Sequence, residues 1–185
     1  MAIAAILMAS VAAASGVHVD ERVVHYAVTG PSIAELHRQM RALGPADPVT
    51  GKRMQGFAEW SVSWTFGFQE RSGACRIADP RVDLTVVITL PQWTGQAPSP
   101  RLATSWQTFV DGLVVHEHGH RDIGIGAANA VQAALESMAP QHGGCAGFAD
   151  AVNHAAKATL DGFKGADREY DRHTRHGQLQ GVELK

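Results

Sequence analysis

The chain has 185 residues, enough for one domain with a substantial core and short for two. Its formal net charge is −2, and no run of Lys or Arg makes a local positive field. A nucleic-acid partner is therefore not expected.

In chain order, residues 1–14 are apolar or small and lead into Ser15-Gly16, the pattern of a secretory signal peptide, although no Lys or Arg precedes the apolar run. The expected organisation is a leader over 1–16, one domain over 17–181 and a polar tail over 182–185, in a periplasmic or secreted protein. No other segment has the apolar length to span a bilayer, so no stable membrane span is expected in the mature chain. Cys75 and Cys145, a small even number in an exported chain, point to one disulfide closing a long loop.

Residues 18–28 alternate with β-branched residues and read as a strand, which Gly30-Pro31 ends. Ser32 then caps a short helix over 33–43, with Glu35 completing a capping box and Gly44-Pro45 stopping it. Residues 46–56 are polar and turn-rich. From Phe57 the alternation is strict: Trp60, Val62, Trp64, Phe66 and Phe68 share one face, and Ser61, Ser63, Thr65 and Gly67 the other. After a turn at Arg71-Ser72-Gly73, a second strand is predicted over 82–90, with Val82, Leu84, Val86 and Ile88 on one face. This strand is expected to be the sheet edge lining a cleft, where an extended peptide could pair. Pro91-Gln92-Trp93 closes it, and 96–100 is a connector. Beyond Arg101 the chain reads as helical: one long helix over 104–138, stopped by Pro140, and a second from 148 to 163 or beyond. The fold class that follows is α+β, a twisted, mostly antiparallel sheet packed on two long helices.

The first of these helices carries His116-Glu117-His118-Gly119-His120. Residues four apart share a helix face, so His116 and His120 can direct their imidazoles at one metal ion, a zinc. Glu117 is rotated off that pair but within reach of water on the metal, and can act as general base. A His-rich solvated face would be the bland alternative; the apolar spacing of Trp106, Phe109, Val110, Leu113 and Val114 just ahead speaks for an amphipathic helix instead. His118 points elsewhere. A catalytic zinc takes a third protein ligand. The extended motif with Gly at 123 and His at 126 is absent, since Ile123 and Gly126 stand there, and Glu136 is about four turns away on the same helix.

Near the C-terminus stands Tyr170-Asp171-Arg172-His173-Thr174-Arg175-His176-Gly177, followed by Gln180-Gly181. Together with the His-Glu-x-x-His helix, the tryptophan-bearing strand, Cys75, the Leu90-Pro91-x-Trp93 turn and Trp106, it resembles the bacterial family catalogued as domain of unknown function 922. Members of that family are described as candidate secreted zinc-dependent proteases of zincin-like type. The resemblance implies a zincin-like fold and a hydrolase class, without a substrate. Carried onto this chain, it offers His176 as the third zinc ligand, with Asp171 the chief competitor; His173 has no evident counterpart. Asp171 could instead hold a ligand imidazole by its other ring nitrogen. Tyr170 could donate a hydrogen bond to the oxyanion formed when water attacks a carbonyl, or be a core aromatic with its hydroxyl at the surface. The expectation is an exported zinc metallohydrolase acting on a peptide or protein, with Glu117 activating the zinc-bound water. A cell-wall amidase would use the same residues. The rival is a periplasmic binding or scaffolding module with a non-catalytic metal, which would leave Glu117 without a task.

Overall fold

Ser72 and Gly73 both have positive φ, 53° and 72°, the pair of left-handed residues that joins two strands in a two-residue hairpin. The computed structural model, which describes residues 16–94 and 99–185, builds its sheet on this hairpin of β2 (Phe57–Arg71) and β3 (Ala74–Trp93). The expected leader lies outside the described residues except for Gly16. Before the hairpin come β1 (Gly16–Val28) and α1 (Ile33–Leu43); after it come α2 (Pro100–Glu136), β4 (Gln141–His142) and α3 (Phe148–Thr174), then a short 3-10 turn, Gln178–Gln180.

The strand order is β1-β3-β2, with β1 parallel and β2 antiparallel to β3, and β4 adding two residues beside Ala74 and Cys75. The sheet is therefore mixed rather than mostly antiparallel. It also corrects the expectation that residues 82–90 form an edge: β3 is the central strand, and β1 and β2 are the edges. Alternation reveals which face a residue takes, not which strand lies alongside, so the sequence is silent on both points. β3 begins well before residue 82. Asp79-Pro80 is absorbed as a bulge where the pairing with β2 shifts between Thr65 and Gly67, and Asp79 takes φ 48° there.

Val82, Leu84, Val86 and Ile88 are fully buried on the helix side of the sheet, each contributing about 1.5–3 kcal/mol by its removal from water. Phe109, Leu113, Val131 and Leu135 of α2 and Val152 and Ala156 of α3 complete that core. Trp60 and Trp64 reach from β2 to α3, where their indole N–H groups donate to Asp167 and Asn153 at 3.2 and 2.9 Å. α2 starts four residues earlier than expected, because the Ser99 hydroxyl accepts from the Leu102 amide and Pro100 fits the first turn. α3 runs on to Thr174, which places the whole Asp167–Thr174 stretch on one rigid element. The Cys75–Cys145 disulfide is formed and ties β3 to the segment that enters α3. Val182 and Leu184, in the stretch expected to be a polar tail, are buried. Among the described residues no helix is long and apolar enough to cross a membrane.

Candidate metal centre

His116, Glu117 and His120 lie on one buried stretch of α2, exposed by 5, 3 and 7%. The i, i+4 spacing brings the two imidazoles together as expected, with Nε2 atoms 3.4 Å apart. Asp171 comes from α3: its Oδ1 is 3.2 Å from each of those nitrogens. A tetrahedral zinc with bonds of about 2.0–2.1 Å spaces its ligand atoms by about 3.3–3.4 Å. The triangle of 3.2, 3.2 and 3.4 Å therefore fits one such ion, with a fourth position left over.

His176, the expected third ligand, is not in that triangle. Its Nδ1 is 3.4 Å from the Asp171 carboxylate and its side chain is 65% exposed. The cause is how α3 ends. Arg175, His176 and Gly177 are successively left-handed, with φ of 52°, 52° and 79°, so the chain reverses just past Thr174 and carries His176 outward while Asp171 stays on the inward face. His173 bonds back to the Glu169 carbonyl and is exposed, and His118 is half-buried outside the triangle.

Each of the two imidazoles is fixed by its second nitrogen. His120 Nδ1 meets Asp167 Oδ1 at 2.8 Å, and His116 Nδ1 meets Gln180 Oε1 at 3.0 Å. Such partners set the tautomer and leave Nε2 free as the donor atom toward a metal. Gln180 also donates from Nε2 to the Tyr170 hydroxyl at 2.9 Å, which in turn donates to the His116 carbonyl at 3.2 Å. The three residues thus form a closed ring of hydrogen bonds around His116. Tyr170 stacks on the His116 ring, 5.3 Å between centroids and 13° between planes, and its single hydroxyl hydrogen is committed to the His116 carbonyl. In this geometry Tyr170 packs and hydrogen-bonds against His116, while the expected oxyanion contact has no counterpart among these hydrogen bonds.

Two glycines make that packing possible. A Cβ on Gly119 would lie 2.0 Å from the Tyr170 hydroxyl, and one on Gly112 would lie 2.6 Å from the Gln180 carbonyl oxygen. Asp167, Gln180 and the Trp60 indole are the supporting residues that sequence reasoning missed. The signal for Asp167 was available: Asp167, Tyr170, Asp171 and Thr174 fall at i, i+3, i+4 and i+7, one face of a helix that reaches Thr174. For Gln180 the signal was its place with Gly181 in the C-terminal pattern that carries the family resemblance, whereas its contact with His116 depends on the left-handed reversal.

Burial pushes Glu117 up to about 7, against the pull of His116, His120 and the Ala58 backbone amide. For His120, burial pulls the value down, but hydrogen bonds and charge from Asp167 and Asp171 outweigh it and raise it to about 10. Burial alone would raise Asp171; the hydrogen bonds from His116 and His120 win and hold it well below the usual carboxylate range. The site is a compact arrangement of two imidazoles and one carboxylate beside a buried carboxyl poised near neutrality, a value suited to a general base.

The family model described as "Bacterial protein of unknown function (DUF922)" matches residues 23–177, a span that includes all three triangle residues and Glu117. Comparison with curated proteins and with solved structures gives no match.

Proposed function

The chain belongs to the DUF922 family of bacterial proteins of unknown function, and from that premise we propose that it is an exported zinc-dependent hydrolase of zincin-like type acting on peptide bonds. The observation that carries the reading is the 3.2, 3.2 and 3.4 Å triangle of His116, His120 and Asp171, with Glu117 buried alongside. Zinc bound there supplies a Lewis acid and lowers the pKa of water toward about 7. His116, His120 and Asp171 hold the ion; Gln180 and Asp167 orient the two imidazoles. Glu117 accepts the proton of the attacking water on its carboxylate and returns it to the leaving amine. The backbone at Gly56 comes so close to Glu117 that a Cβ there would lie 2.8 Å from its carboxylate, so edge strand β2, which begins at the next residue, is the strand an extended peptide would join. The disulfide accords with an oxidising compartment.

Metal analysis of untagged protein, followed by hydrolysis assays on unfolded protein and on cell-wall peptides, tests the reading. One zinc per chain is expected, and Glu117→Gln should keep the metal while turnover falls by about 10²–10⁴-fold. Unchanged turnover in that variant would remove Glu117 as the base. A zinc-loaded chain that cleaves neither substrate class would favour a binding or scaffolding module.

A further inference from the structure

β1 runs for thirteen residues along one edge of the sheet, and among the described residues it pairs with β3 alone. Exposed edges of this length are normally blunted by Pro, charged side chains, a bulge or a covering element, and the charges that β1 carries are the consecutive Asp20, Glu21 and Arg22. β1, GVHVDERVVHYAV, has neither Pro nor Lys, and its register with β3 is unbroken from Gly16↔Arg81 to Val28↔Trp93. The two long helices cover β3 and β2 and leave its inner face thinly covered: Val19 and Val23 are 41 and 47% exposed. On the opposite face stand Asp20 and Arg22, beside Thr85 and Val87 of β3, and neither makes an ion pair with a described residue.

We propose that β1 is a self-association edge, where two copies of this chain pair β1 with β1 in antiparallel register centred on Glu21. Antiparallel partners directly opposite each other share a sheet face, so the two-fold axis is perpendicular to the sheet and runs between the strands, midway between the two copies of one residue. With Glu21 at the centre, Val19 meets Val23 twice on the helix side, and Asp20 meets Arg22 twice on the other. The bare valines cover each other and the unpaired charges neutralise each other. Centring on Asp20 or on Arg22 instead sets those like charges face to face and loses both Asp20–Arg22 pairs, which disfavours the two adjacent registers. The two Glu21 carboxylates that meet at the axis are each faced by the Arg121 guanidinium of their own α2 at 3.8 Å. The joined sheet reads β2-β3-β1-β1-β3-β2, with both metal centres on the same face.

Sedimentation velocity of the full chain over a concentration series tests this. A reversible monomer–dimer equilibrium is expected. Asp20→Arg turns two attractive cross-strand pairs into two repulsive ones and should raise the dissociation constant about tenfold or more. The double exchange Asp20→Arg/Arg22→Asp restores both pairs and should recover the wild-type constant, with unchanged circular dichroism throughout. A chain that stays monomeric, association insensitive to Asp20→Arg, or a double exchange that fails to rescue would each overturn the proposal.

Discussion

Asp167 Oδ1 and His120 Nδ1 lie 2.8 Å apart, and the same oxygen accepts from the Trp60 indole at 3.2 Å. One carboxylate thereby couples the sheet to a metal-facing imidazole. Asp167→Ala is expected to lower zinc affinity by about 10- to 100-fold, because the His120 ring loses the acceptor that fixes its tautomer. Competition titration against a chromophoric chelator measures it. Wild-type affinity in Asp167→Ala would mean that His120 is oriented by something else.

Asp171 and His176 make opposite predictions. Asp171→Ala should abolish tight zinc binding, while His176→Ala, which removes an exposed ring 3.4 Å from the Asp171 carboxylate, should change affinity by less than about tenfold. The same titration decides. If His176→Ala loses the metal and Asp171→Ala keeps it, the third ligand is His176.

Gly119→Ala reads the packing of Tyr170 through the sign of its effect. Helix propensity alone would make the variant about 1 kcal/mol more stable. A Cβ 2.0 Å from the Tyr170 hydroxyl must instead displace the ring, and overpacking of this kind costs about 1–3 kcal/mol. Urea denaturation of the metal-free protein should therefore show destabilisation, accompanied by weaker zinc binding as Tyr170 leaves Gln180. A more stable variant would contradict the contact.

The metal-free protein should lose stability as pH rises. Glu117 is lifted from its ordinary 4.5 to about 7, so the native state favours the protonated carboxyl, and stability falls as pH climbs through that interval. His120 is raised from 6.5 to about 10; its contribution is fully present below about 6.5 and is lost as pH rises through about 10. Both slopes run the same way across pH 5–9. Zinc needs the neutral imidazole, so its affinity should increase over the same range, with proton release on binding. Thermal melts of chelator-treated protein at several pH values check the first claim, and proton release in weak buffer the second. Rising metal-free stability from pH 5 to 9 would show that the carboxylate–imidazole coupling is wrongly read.

The local part of this protein was legible in its sequence. The pairing of His116 with His120 follows from helix periodicity, the cap at Ser32 and the end at Gly44 from side-chain and backbone chemistry within one turn, and the buried face of 82–88 from strict alternation. The partner of Cys75 followed from there being one other cysteine. Whatever depends on residues far apart in the chain was decided only by the tertiary structure. β3 is central rather than an edge because β1 returns to pair with it in parallel, and no residue of β3 encodes its neighbours. Asp171 rather than His176 faces the two imidazoles because α3 continues to Thr174 and then reverses through left-handed Arg175 and His176, a conformation that non-glycine residues adopt only when surrounding contacts hold them there. Periodicity specifies faces; the docking of α3 on α2, with Tyr170 seated against Gly119, is what selects which side chain on that face completes the site.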